Sequence, residues 1–375
     1  MFIKNAKIYT MDKQGIIENG YLKTENGKFV EIGEMADFDE KNEAVDAGGA
    51  YIFPGFIDGH THIGLSDDSV DDEDYNEMSE PITPEVRVTD AINPFDKTFS
   101  EALMSGITTV VVSPGSSNPI AGRISAVKTY GDDISEMLVK EDVGMKFALG
   151  ENPKHEYADR NVMPFSRMGT AALIRSKLYE AQQYIEKEEP DYDSKLEALK
   201  PLLEGETMAF IHAHRADDIM TAIRIMEEFD IKYKLIHATS GYLIADKLAK
   251  KDVEILSGPN ICERSKPELR DKSFGSDALL SKAGIKFAII TDHDVIPQEF
   301  LPLCAAVAVR GGLDEYEALK AITINPAEIC GIDNKVGSIA VGKDADFSIF
   351  EDMPTDIRVR PRAVFVNGEK VYERA

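Results

Sequence analysis

From residue 56 to residue 291 the chain repeats one unit: a short apolar run with few polar interruptions, then a longer stretch with helical periodicity. Eight apolar runs can be read, at 56–58, 108–113, 125–129, 145–149, 208–212, 234–237, 254–257 and 287–291. Between most of them lie amphipathic segments such as TAALIRSKLYEAQQYIEKE and ADDIMTAIRIMEEFD. A strand whose residues are nearly all apolar is buried on both faces, the pattern of a parallel sheet flanked by helices. Eight such βα units predict an α/β fold closed as a (β/α)8 barrel.

The two ends read differently. Residues 1–53 contain short strands joined by turns, with Asn26-Gly27 suited to a tight hairpin; Ala345–Phe350 and the RAVFVNGEKVYE segment around Asn367-Gly368 repeat that character. The expected organisation is a small β-sandwich module assembled from residues 1–53 and 338–375, surrounding a barrel of residues 54–337.

Composition narrows the partners. The 375-residue chain carries a net charge of −25, which disfavours a phosphate backbone as ligand and so argues against nucleic acid. Cys262, Cys304 and Cys330 are few, odd in number and without CxxC spacing, as expected of reduced thiols in a cytoplasmic setting. The N-terminus lacks the apolar core of a signal peptide, and no run reaches the roughly 18 apolar residues of a membrane helix. A small-molecule substrate is the expected partner, with homo-oligomerisation left open. Residues 64–93 form a long connection after the first strand and include Asp67, Asp68, Asp71, Asp72, Glu73 and Asp74. Such a segment is either a solvated acidic loop or subunit contact, or a lid favouring positively charged substrates.

Six of the seven histidines sit at or just beyond strand C-termini, the end at which barrel enzymes place their chemistry. In GFIDGHTHIG, His60 and His62 alternate along an extended chain and direct both rings to one side. MAFIHAH places His212 at a strand end, KLIHAT places His237, and FAIITDHD places Asp292 at the last one. Neutral imidazoles and a carboxylate suit Zn, Fe or Mn. His214 and His293 flank these positions and are expected to point elsewhere, toward substrate or surface. Asn152, His155, Asn260 and Arg264 lie on loops at the same face, with Arg264 placed to pair with a substrate carboxylate. The Ser/Gly/Pro-rich SPGSSNPIAGR matches no phosphate loop, and Lys128 faces either the barrel interior or a core partner.

These residues, with the tail AITINPAEICGIDNKVGSIAVGKDADFSIF and VFVNGEK, resemble the amidohydrolase superfamily over nearly the whole chain, most closely the group around imidazolonepropionase and related amidases and dipeptidases. The resemblance implies one or two divalent metals, Zn the first expectation, and hydrolysis of a C–N bond. It assigns His60, His62 and Asp292 to one metal, and His212 and His237 either to a second or, one of them, to the single-metal form. Bridging ligands in such proteins are a glutamate or a carboxylated lysine; here Glu151 is favoured and Lys146 is the alternative. Asp292 would act as general base and acid. A heterocycle deaminase is the rival activity, disfavoured because HAHRADD lacks the glutamate usual after the strand-five histidine. A non-catalytic assembly protein is the alternative outside enzymes.

Overall fold

The computed structural model describes residues 1–39, 41–67 and 72–374. Eight strands form the central sheet: β1 (Phe56–Thr61), β2 (Ile107–Val112), β3 (Ile120–Lys128), β4 (Leu138–Ala148), β5 (Ala209–Ala213), β6 (Tyr233–His237), β7 (Ile255–Ser257) and β8 (Phe287–Ile289). They pair in chain order from β1 to β8. Alternate residues feed two cores. Ile57, Val111, Phe210, Ile236 and Leu256 fill the barrel interior. Their neighbours Val110, Ile211, Leu235 and Ile255 pack outward against helices such as Ala216–Glu228, which buries Ile219, Ile223 and Met226.

The barrel closes by backbone and side-chain hydrogen bonds between β1, with the residue after it, and the residues after β8. The His62 N–H donates to the His293 carbonyl at 2.8 Å. Asp58 Oδ2 accepts from the Thr291 N–H (3.1 Å), the Thr291 hydroxyl (2.6 Å) and the Gln298 amide (2.7 Å). Burial pushes the Asp58 carboxyl up to about 6, and these hydrogen bonds oppose the rise.

One strand departs from the uniform parallel pattern expected of βα repeats. β3 runs antiparallel to both β2 and β4. Parallel strands need a crossover of a dozen or more residues. The connections at 113–119 and 129–137 are too short, and the latter holds only the one-turn helix Ile134–Met137. β3 therefore delivers Lys128 to the barrel face opposite the histidines.

Both chain ends build a second eight-stranded sheet, in which Tyr51–Pro54 pairs antiparallel with Phe347–Phe350. The hairpins expected at Asn26-Gly27 and Asn367-Gly368 form, with positive φ at all four residues. Lys128 ties this module to the barrel: its ammonium pairs with Asp344 at 2.9 Å and also with Asp346. Burial alone would lower the Lys128 ammonium, but the two carboxylates outweigh it and hold it above its ordinary value. Removing one partner of a buried pair leaves an uncompensated charge. Lys128→Met is therefore expected to cost about 3–5 kcal/mol, read as a lowered thermal midpoint; an unchanged midpoint would contradict the role given to this contact.

Candidate metal centre

His60 and His62 occupy the end of β1 and the position just after it, where the extended chain turns both rings into the barrel mouth, 5.1 Å apart between centroids. Asp292 follows β8 in the left-handed region (φ 53°), and His237 closes β6 in the same region (φ 70°). Non-glycine residues in that conformation cost energy and persist where surrounding structure enforces them, as at functional sites.

Among the described residues two groups have the spacing for a metal ion: His60, His62 and Asp292, and His212, His214 and His237, with donor atoms within 4.8 Å of one another in each group. The groups adjoin, the His60 and His237 rings lying 5.8 Å apart. Asp292 Oδ1 is 3.1 Å from His60 Nε2 and 3.6 Å from His62 Nε2.

The donor set fits a cation. His62 Nδ1 pairs with the Ser113 carbonyl at 2.8 Å and His237 Nδ1 with the Gly258 carbonyl at 2.7 Å. A carbonyl only accepts, so in both rings Nδ1 carries the proton and Nε2 keeps its lone pair. His212 Nδ1 meets Ser116 Oγ at 2.9 Å. The buried Nε2 atoms of His212 and His237 have no hydrogen-bond partner, an arrangement that costs free energy unless something else is bound. Burial holds His60, His212 and His214 well below the usual histidine range, and His237 at about 4, so the imidazoles are neutral. Burial would raise the Asp292 carboxyl, but the neighbouring His237, His60 and His62 reverse this and keep it well below the carboxylate range. Neutral imidazoles with an ionised carboxylate are what a divalent cation takes up.

Several residues lie elsewhere than expected. Glu151 joins neither group. Gly150, at φ 97°, turns the chain from β4 into the helix Glu151–Asp159 and directs the Glu151 carboxylate toward Arg167, 3.9 Å away. Lys146, inside β4 and fully buried, is the side chain that reaches the centre, its Nζ 3.3 Å from His60 Nε2. His214 does not point away: two residues beyond His212, it falls on the same side and stacks on His237 at 4.4 Å. Arg264 donates to the Lys272 carbonyl at 2.7 Å and lines a neighbouring cavity, not the one into which the histidines open. Asn260 donates to the Cys304 carbonyl at 3.0 Å, bracing the neighbouring helix. The buried His293 meets His62 through its backbone carbonyl and does not line the cavity.

The centre opens into a cavity of about 490 Å³ whose wall includes Tyr75, Ser116, Asn152, His155 and Lys266. Cavities of about 120 Å³ near Phe350 and about 680 Å³ near Lys286 contain neither ligand group. Tyr75 stacks on His62 at 4.9 Å, so the long connection after β1 does reach the site. Of its acidic run, Asp68 and Asp71 lie outside the described residues. Ser116, from the Ser/Gly/Pro-rich loop, and Lys266 were not singled out from the sequence; neither loop has a periodicity that would have marked them.

The Amidohydrolase family profile matches residues 51–371. The chain is 38% identical to an amidohydrolase of known structure from Thermotoga maritima MSB8, with 100% of each chain covered and a TM-score of 0.96. It is 25% identical to amidohydrolase tasK of Hapsidospora irregularis, over 88% of this chain and 37% of that protein. It is also 25% identical to an adenine deaminase of Bacillus velezensis, over 100% of this chain and 59% of that one. The chain thus spans less than two thirds of the length of these two curated relatives. No described helix is long and apolar enough to cross a membrane. A profile match along most of the sequence, on a barrel that gathers histidines and an aspartate at one mouth, makes this chain a member of the amidohydrolase family.

Proposed function

We propose that the protein is a metal-dependent hydrolase of a C–N bond in a small amide or cyclic amide, with Asp292 as general base and acid. The observation that carries this reading is the convergence of His60, His62, His212, His237 and Asp292 from four strands on one cavity floor, with Nε2 of His212 and His237 buried and unpartnered. His60, His62 and Asp292 would hold one ion and His212 and His237 a second, with His214 beside them. Zinc fits, as do iron and manganese. A cation in this place supplies Lewis acidity toward the scissile carbonyl and acidifies nearby water.

The chain's own groups do the rest. Asp292, ionised and about 15% exposed to the cavity, accepts the proton of the attacking water and returns it to the leaving nitrogen. The Ser113 and Gly258 carbonyls fix the tautomers of His62 and His237, and the Ser116 hydroxyl holds the His212 ring in place. Lys146, rather than Glu151, is our choice for the link between the two ligand groups, because its Nζ lies 3.3 Å from His60 Nε2. Among the described residues it forms no ion pair, and burial pushes its amine down to about 7. An uncharged amine adds CO₂ and loses a proton, giving a carbamate with two oxygen donors.

Deamination of a heterocycle is the second reading, favoured by the similarity to adenine deaminase and disfavoured by the absence of a glutamate in HAHRADD. Metal analysis of the purified protein, with N-acyl amino acids, dipeptides, hydantoins and imidazolones assayed alongside ammonia release, tests both. Stoichiometric metal with amide cleavage is expected. Ammonia release from heterocycles alone would favour the deaminase, and a metal-free chain after metal-replete expression would remove the hydrolase reading.

A further inference from the structure

We propose that Lys266 is the specificity residue of the cavity and binds a carboxylate on the substrate, so that the preferred substrates are small amides bearing a free acid. This rests on the hydrolase reading above and narrows it. Among the described residues Lys266 is the only lysine or arginine lining the cavity at the metal centre.

Its ammonium is anchored from behind. Nζ lies 2.7 Å from Asn152 Oδ1 and 2.7 Å from Glu268 Oε1. An ammonium has three N–H donors; Asn152 takes one and the Glu268 contact is an ion pair, so donors remain for a ligand. Glu268 is fully buried whereas the Lys266 side chain keeps 28% exposure, so the neutralising carboxylate is inside the wall and the cation faces the cavity. Glu268 is itself fixed, its Oε2 accepting the Glu151 N–H at 3.0 Å.

The other charged side chains on the cavity wall are the carboxylates Asp292, Asp294 and Glu156. Among the wall side chains an anionic substituent is repelled by each of these carboxylates and attracted by Lys266, and a carboxylate paired there leaves the cations at the histidines to the amide carbonyl. That asymmetry would do more than add affinity: it would orient an acid-bearing amide with its carboxylate at Lys266 and its carbonyl toward the histidines.

The test compares N-acetyl-alanine, N-acetyl-leucine and N-acetyl-glutamate with their decarboxylated amides, which have the same scissile bond, on zinc-loaded protein. Wild type is expected to favour the acids. In Lys266→Gln the acid-to-neutral ratio of kcat/KM should fall roughly 10–100-fold, mainly through KM, as for loss of a charged hydrogen bond. Lys266→Arg should restore part of it. Lys266→Gln leaves Glu268 buried without a counter-charge, so the double variant Lys266→Gln/Glu268→Gln serves as the second test and should show the same collapse in ratio. An unchanged ratio in both variants, or a wild type that prefers the neutral amides, overturns the inference. Calorimetric titration with the three acids separates it from the hydrolase reading. Acids that bind wild type but not Lys266→Gln, with no amide cleaved, sustain the Lys266 role and remove the hydrolase. Neutral amides cleaved while the acids neither bind nor react do the opposite.

Discussion

Asp292→Asn is expected to yield a folded, metal-containing protein whose turnover falls roughly 10²–10⁴-fold, the usual contribution of a positioned acid–base group. Folding should survive because Asn tolerates the left-handed backbone at this position (φ 53°). The substitution nearly preserves side-chain shape and leaves an oxygen where Oδ1 now lies 3.1 Å from His60 Nε2. What disappears is the capacity to take a proton, since a neutral amide is far too weak a base at any working pH. Metal content measured on the same sample is the necessary partner of the rate. With wild-type metal content, the rate loss reports proton transfer; with metal lost, it reports ligation. Undiminished turnover would remove Asp292 as the proton acceptor.

The metal groups were legible because their signal is local. A histidine at the end of an apolar run shows in the sequence wherever its partners lie, and strand C-termini of a barrel share one face. The same alternation that pairs His60 with His62 pairs His212 with His214, so the placement of His214 was available from its spacing. Strand direction was not. A strand such as 120–128 looks the same read upward or downward, and only the shortness of the connection at 129–137, with its single helical turn, distinguishes the two. Glu151 and Lys146 show a different limit. Which side chain enters the centre depends on Gly150 at φ 97°, which turns the helix start away, and on the pleat that aims Lys146 inward. The sequence ranks the loop carboxylate above the strand lysine as a bridge, yet it is the lysine that the backbone brings beside His60. Arg264 and Lys266 are two residues apart on an irregular segment, where no period predicts which one faces the cavity.

Lys146→Met tests the most consequential of these reversals. Met fills a similar volume in the barrel and packs without a polar group, so the fold is expected to hold. If Lys146 provides the link between His60 and His62 on one side and His212 and His237 on the other, removing it should cost most of one metal equivalent. It should also cost turnover roughly 10³-fold, because a cation's share of transition-state stabilisation is several kcal/mol and each 1.36 kcal/mol is tenfold. Two readouts distinguish a carbamate from a plain buried lysine. Wild-type protein loaded with ¹³C-bicarbonate should show a carbamate carbon resonance that Lys146→Met lacks. Lys146→Ala, which leaves space in the barrel, should recover part of its activity with acetate or propionate, since a small carboxylate can place two oxygens in that space. A buried structural lysine would respond to neither. Wild-type metal content and turnover in Lys146→Met would show that the two histidine groups work without a bridge, and the centre would then have to be described as independent sites.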